Sequence, residues 1–371
     1  MQSIDLATLN TQVLGATFLL STLFGAIAQR SHFCTMGAVS DIVNMGDWTR
    51  MRQWAFAIGI AMIGFGSLVY AGLVDPTRVI YASTRLIWLS ATLGGLLFGF
   101  GMVLASGCGS KTLVRLGGGS LKSLVVLLVM GFSAFATLKG LTAVPRVNYV
   151  DSVFIDFSAG TSLAQWATAL FGLDLPLSAL VLGLIFGSLL LLWALLGTEF
   201  RRTSNIVPGL IIGGVVVAMW WVTGSLGFVS EHPETLEEVF VATSTGRVEA
   251  LSFVAPAAYT LEWLIYFSDK NQVLTTGVVS VAGVVFGSCL YSLIFKTFRW
   301  EGFGGTEDLG NHLLGGVLMG VGGVTAMGCT VGQGLSGIST LNATSFVAVA
   351  AIIAGAVAGL RYQIYRLNRL I

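Results

Sequence analysis

The sequence predicts an all-α polytopic membrane protein: about nine transmembrane helices, short re-entrant segments and an internal repeat. Three observations carry that prediction. Hydrophobic residues make up 55% of the 371 positions and charged residues only 10%, with a mean hydropathy of +0.85, whereas soluble domains carry roughly 25% charged residues. Such a chain cannot cover a water-soluble surface of this size, so lipid must solvate much of it. Apolar stretches approaching the roughly 20 residues needed to cross a hydrocarbon core recur along the whole length. The 48 glycines exceed the roughly 7% average. In membrane helices glycine lets backbones approach closely, or break where protein or a cavity satisfies the freed groups.

In chain order, the spans are expected at 13–29, 54–74, 86–106, 122–142, 177–197, 206–226, 275–295, 311–327 and 343–361. The opening MQSIDLATLNTQ lacks the basic segment of a signal peptide, so the first span, Leu14–Ala28, is expected to be retained. Arg50 and Arg52 precede the second span, and Lys111, Arg115 and Lys122 follow the third. Arg201 and Arg202 follow the fifth, while Arg361, Arg366 and Arg369 end the chain. The stretch 230–240 is acidic instead. Nine spans with the N-terminus outside and the C-terminus inside accommodate this pattern. Residues 251–267 are apolar but contain Pro256 and Glu262, and read as an interfacial or partly buried segment. The nine Trp and eight Tyr suit interfacial belts and core packing. A net charge of +1 gives no electrostatic case for nucleic acid. Four cysteines without a C-x-x-C pair give neither a disulfide framework nor a zinc site, and no metal or cofactor is expected.

The repeat joins LGGLLFGFGMVLASGC (93–108) to LGGVLMGVGGVTAMGC (314–329), with ten identities in sixteen positions at a constant offset, 329 − 108 = 221. In the expected topology the two segments cross in opposite directions. Transporters with inverted repeats place their substrate site near the midplane, on broken helices. After the cysteines come GSKTLVRLGGG (109–119) and TVGQGLSGIST (330–340), both rich in glycine and small polar residues. A third cysteine sits in QRSHFCTMGAVSD (29–41), again directly after an apolar span. Cys34, Cys108 and Cys329 thus share one setting: helix end, cysteine, glycine-containing turn. Cys289 lies inside a span and lacks it.

Buried free cysteine ordinarily acts as a small hydrophobe, which accounts for Cys289. Repeated placement at helix breaks is not required for packing, and three thiols so placed suit a sulfur-bearing anion. A thiol is a soft, weak donor that can meet a polarizable sulfur without trapping it. Conduction needs sites favourable enough to bind and weak enough to release, and helix N-termini can supply the attraction. The candidate pathway is therefore Cys34, Cys108 and Cys329, with Arg30, His32, Gly107, Gly109, Lys111, Gly328, Thr330 and Gln333 as candidate anion-attracting or lining residues. Taken singly, each basic residue reads first as a topology determinant or a lipid-headgroup anchor. Glu307, Asp308 and His312 read as a solvated loop before the second repeat segment. GCGSKT (107–112) is not a phosphate-binding loop, since Ser110 stands where glycine must precede the lysine and a membrane helix replaces the strand.

At GFGMVLASGCGSK, GVGGVTAMGCTVGQGLSG and RSHFC the chain resembles the YeeE/YedE-like sulfur-transport family of bacterial inner-membrane proteins. FGSLLLLWALLGTEFRR (186–202) and FGSCLYSLIFKTFRWEG (286–302) also look like its glycine-led helices ending in a basic turn. The resemblance implies a multi-pass inner-membrane importer of an inorganic sulfur anion, thiosulfate foremost, without enzymatic activity. By resemblance, Cys34, Cys108 and Cys329 relay the ion through S–H···S hydrogen bonds, with Cys108 central. It also implies a small soluble TusA-like sulfur carrier as a cytoplasmic partner. The alternatives are transport of a selenium or other reduced sulfur compound, a membrane thiol–disulfide oxidoreductase, and a structural subunit.

Overall fold

The computed structural model describes residues 6–231, 236–269 and 272–369. The helices are α1 (Leu6–Ser31), α2 (Thr35–Met45), α3 (Thr49–Tyr70), α4 (Trp88–Leu104), α5 (Gly109–Gly117), α6 (Leu121–Lys139) and the single turn α7 (Ala143–Pro145). There follow α8 (Leu163–Phe171), α9 (Leu175–Leu195), α10 (Thr203–Trp221), α11 (Val254–Ile265), α12 (Thr276–Ile294), α13 (Thr306–Thr325) and α14 (Ala343–Asn368). Two short antiparallel strand pairs, Arg85–Leu86 with Ile155–Asp156 and Phe228–Val229 with Val239–Phe240, tie loops together at one end of the bundle.

The protein is an all-α polytopic membrane protein. Among the described residues, eight helical segments have the length and composition to cross a membrane. They run through Leu6–Met45, Thr49–Tyr70, Trp88–Gly117, Leu121–Lys139, Leu175–Leu195, Thr203–Leu226, Thr276–Ile294 and Ala343–Asn368. The remaining expected span, 311–327, falls in α13, which is as long as the others but opens on polar residues and is rich in glycine. One expectation needs correction. Glu307, Asp308 and His312 are no loop but the first turns of α13, where acidic side chains suit the positive helix end. There Glu307 pairs with Arg366, and Asp308 with Lys122 and His312. The segment 251–267, expected to be interfacial or partly buried, holds a regular helix, α11, with Val254, Pro256, Ala257 and Ala258 buried and Leu264, Ile265 and Phe267 exposed. Proline is tolerated there because first-turn amides have no intrahelical acceptor to lose. Within the acidic stretch 230–240, residues 232–235 lie outside the described residues.

Glycine sets the packing at the centre. Along α4 and α13 the glycines pair in opposite order: Gly94 abuts the Ala326 amide, and a methyl on Gly101 would stand 2.9 Å from the Gly315 carbonyl. These helices are therefore antiparallel. In contrast, α13 runs parallel to α6, since a methyl on Gly316 would meet Val129 at 3.1 Å and one on Gly320 would meet Ser133 at 2.7 Å. Parallel packing likewise joins α4 to α14, from Gly95 near Ala348 to Gly359 near Phe100. Such close approach replaces the hydrophobic drive that lipid cannot supply between helices. By contrast α9 exposes Leu184, Ile185, Leu189 and Leu192, as expected of a helix on the lipid-facing rim.

Candidate functional site

Each of the three candidate cysteines begins a helix inside the protein. Cys34 is the N-cap of α2, with extended backbone at φ −161° and ψ 126°, and Cys108 is the N-cap of α5 at φ −79° and ψ 175°. Cys329 directly precedes a helical stretch, 330–339, that is π-helical over Gly332–Gly337. The chain reaches each cysteine through the same device. The residue two places before it is left-handed: His32 at φ 51°, Ser106 at φ 55° and Met327 at φ 56°. One left-handed residue reverses the exit direction of the preceding helix and exposes the amides of the next to whatever occupies the interior. α11 begins in the same interior, at the buried N-cap Phe253, whose backbone lies near the Cys329 sulfur.

The fold brings the three thiols together although they are far apart in sequence. Cys34 and Cys108 approach within side-chain interaction range, and Cys329 lies near Cys108. Cys108 also meets the Ser110 hydroxyl at 3.3 Å, and the Gly332 amide donates to the Cys329 sulfur at 3.4 Å. All three are buried, with Cys34 at 5% exposure and Cys108 and Cys329 at 0%. Cys289 stands apart and partly exposed on α12, where its backbone flanks Gly117.

Two open cavities approach this waist from opposite ends of the bundle. One, of about 560 Å³, is bordered by Arg85, Arg247, Tyr81, Asn342, Met327 and Gln333. Its floor is therefore the turn and helix that carry Cys329. A neighbouring cavity of about 270 Å³ reaches Met327 and Gly328 past Glu249 and Tyr259. At the other end a cavity of about 520 Å³ is bordered by Gln29, His32, Lys111, Arg115, Arg299 and Glu301. His32 and Lys111 stand two and three residues from Cys34 and Cys108, so this cavity ends just short of that thiol pair. Lys111 makes no ion pair among the described residues, whereas Arg115 is tied to Glu301.

The other expected residues are divided. Gly107 and Gly109 flank Cys108 in the break, and Gly328, at φ 157°, completes the corresponding turn before Cys329. Thr330 is buried and faces Cys108 without a well-formed hydrogen bond of its own. Gln333 donates from Nε2 to the Ala326 carbonyl at 2.7 Å, bracing the turn, while its Oε1 is unpartnered. Arg30 is exposed on the last turn of α1 and borders none of these cavities. Sequence reasoning passed over Phe253, Tyr81, Thr35 and Ser110. Tyr81 donates to the Gly332 carbonyl at 2.6 Å, and nothing local in its sequence signals that. Thr35 and Ser110 did carry a signal, a hydroxyl within two residues after a cysteine.

The three thiols thus lie at interior helix starts, between open cavities at the two ends of the bundle. Residues 30–358 match the family described as sulphur transport. The chain belongs to the sulphur-transport family. Among its relatives within that family, the thiosulfate transporter TsuA of Escherichia coli strain K12 is 27% identical over 324 residues, covering 84% of each chain. The thiosulfate transporter TsuA of Spirochaeta thermophila is 26% identical over 341 residues, covering 89% of this chain and 93% of its own. A probable transporter, YedE of Escherichia coli, is 34% identical over 110 residues, 30% of this chain and 26% of its own.

Proposed function

We propose that this member of the sulphur-transport family imports thiosulfate across the bacterial inner membrane by passing it along its thiols. The observation that carries the reading is the convergence of Cys34, Cys108 and Cys329 between cavities at opposite ends of the bundle. Two relatives spanning most of the chain are named thiosulfate transporters. The ion collects in the cavity beside Arg85 and Arg247, passes Met327 and Gln333, and meets Cys329 first. It moves to Cys108 and Cys34 by exchanging one S–H···S contact for the next, then leaves past Lys111 and His32. Weak donors at each step keep release fast, while amides at the starts of α2 and α5 supply the positive potential. No bond to sulfur forms or breaks, so the protein acts as a transporter and not an enzyme. The Lys111 end, also carrying Arg50, Arg115 and Arg299, faces the cytoplasm by the positive-inside rule. A TusA-like carrier is the acceptor we assign to that face. The antiparallel packing of α4 and α13, with matching breaks before Cys108 and Cys329, supports reading the repeat as an inverted one.

The test is uptake of labelled thiosulfate into proteoliposomes holding the purified protein, with Cys108→Ala as control. Saturable uptake in the wild type, lost at least tenfold in the variant at equal folded amount, is expected. Wild-type uptake by Cys108→Ala would overturn the relay. The contact of Cys34 with Cys108 also favours a second reading, a redox pair. Alkylation and mass spectrometry during turnover separate the two, because only the redox reading requires a Cys34–Cys108 disulfide to form and disappear.

A further inference from the structure

Three hydroxyls accompany the three thiols. Thr35 follows Cys34 directly, Thr330 follows Cys329 directly, and Ser110 lies two residues after Cys108. All are buried, at 7%, 2% and 3% exposure respectively. The Ser110 oxygen sits on the Cys108 sulfur at 3.3 Å. The Thr35 hydroxyl has no hydrogen-bond partner, and the Thr330 hydroxyl lies beside Cys108 without a well-formed bond.

That absence has a cause in helix geometry. A buried threonine inside a helix ordinarily turns its hydroxyl back to the carbonyl four residues earlier. Thr112 does so to Cys108, Thr223 to Met219 and Thr325 to Val321. Thr35 and Thr330 open their helices, so no carbonyl of the same helix lies four residues behind them. Position denies them the usual acceptor, and burial denies them bulk water. Native proteins rarely leave such groups unmatched unless another molecule matches them.

We propose that the hydroxyls of Thr35, Ser110 and Thr330 form an oxyanion subsite beside the thiols, so that an ion with a sulfur end and an oxygen end is held at both. The inference rests on the thiosulfate reading and deepens it. Thiols are poor donors to hard oxygen, whereas hydroxyl donors to a charged oxygen make short, strong hydrogen bonds. Thiosulfate carries one terminal sulfur and three oxygens, so thiols alone would leave its more strongly solvated end unmatched. Desolvating that end without donors would close the waist to the ion. A cavity of about 140 Å³, bordered by both threonines and by Trp54, leaves room for this shell to give as the ion passes. The arrangement discriminates in both directions. Sulfate lacks the end that suits the thiols, and hydrosulfide lacks the end that suits the hydroxyls.

The experiment measures thiosulfate uptake kinetics in proteoliposomes for wild type, Thr330→Val, Thr330→Ser and Thr35→Val, each normalised to correctly folded protein by thermal melting. Thr330→Val and Thr35→Val are each expected to raise KM about tenfold, the loss of roughly one hydrogen bond to a charged group. Maximal rate per folded molecule should stay within about threefold. Thr330→Ser, which restores the hydroxyl, should return KM to within about threefold of wild type. A loss of folded protein alone would lower the maximal rate and leave KM in place. An unchanged KM in both valine variants, or a KM that serine does not restore, overturns the subsite. Absence of saturable uptake by the wild type overturns the thiosulfate reading, and this inference with it.

Discussion

Two kinds of residue do most of the local work, glycines at helix crossings and left-handed residues before the cysteines. A methyl on Gly99 would drive into the Ile352 carbonyl and stand 2.8 Å from the Ala356 amide, both backbone atoms that cannot turn aside. Gly99→Ala should therefore cost about 1–3 kcal/mol through overpacking, read as a lower melting temperature in detergent. Gly15 has nothing within 4 Å of the same position, so Gly15→Ala should stay within about 0.5 kcal/mol. At Ser106, φ is 55°. A β-branched residue there adds Cβ crowding in the left-handed region, and Ser106→Val should cost about 1–2 kcal/mol. The same variant should lower uptake, because the turn it distorts aims Cys108.

At the scale of elements, the short helices are anchored at their outer ends. Arg115 on α5 reaches Glu301 at 3.4 Å, Lys122 on α6 reaches Glu301 at 3.5 Å, and Lys122 reaches Asp308 on α13 at 2.9 Å. The Leu121 amide donates to the Glu301 carbonyl at 2.9 Å. Glu301 thus joins α5, α6 and the approach to α13. Partial burial pushes its carboxyl up, but Arg115 and Lys122 outweigh that and hold it below the ordinary carboxylate range. A depressed pKa contributes stability that is present above the unfolded value and lost as pH falls through the folded one. Glu301→Gln should accordingly lower stability at neutral pH by no more than about 1 kcal/mol, since exposed ion pairs are screened. The difference from wild type should vanish in acid, and melting curves across pH would show it.

At the scale of the whole molecule, open cavities reach toward the thiols from opposite ends of the bundle, which makes a prediction about access. Ala159 is exposed at the cavity beside Arg85, and His32 is exposed at the cavity beside Lys111. With the proposed orientation, Ala159→Cys should react with an impermeant maleimide in intact spheroplasts, and His32→Cys only after the membrane is opened. Labelling of both from the same side would refute the two-ended passage. The native thiols should be far slower than either, because three are buried and Cys289 is only partly exposed.

Composition and apolar run length determined the membrane class and most spans, because lipid solvation and the thickness of the hydrocarbon core act on sequence directly. The shared Gly-Cys ends were legible for a related reason: a helix break inside a membrane needs small residues and a local backbone solution, both encoded within a few positions. Arg30 looked equivalent to His32 in sequence but points elsewhere, since helical phase and not proximity decides which side chain meets a cavity. Tyr81 and Phe253 join the site from far along the chain, through contacts that have no local signature. The pairing of Cys34 with Cys108, and the placement of Cys329 beside them, were likewise decided only by the tertiary structure. Glycine-mediated packing of α4 against α13 and α14 sets the depth at which each helix starts. That depth puts Cys108 and Cys329 at one level, while close packing of α1 on α12 at Gly25 and Gly283 sets where Cys34 begins α2.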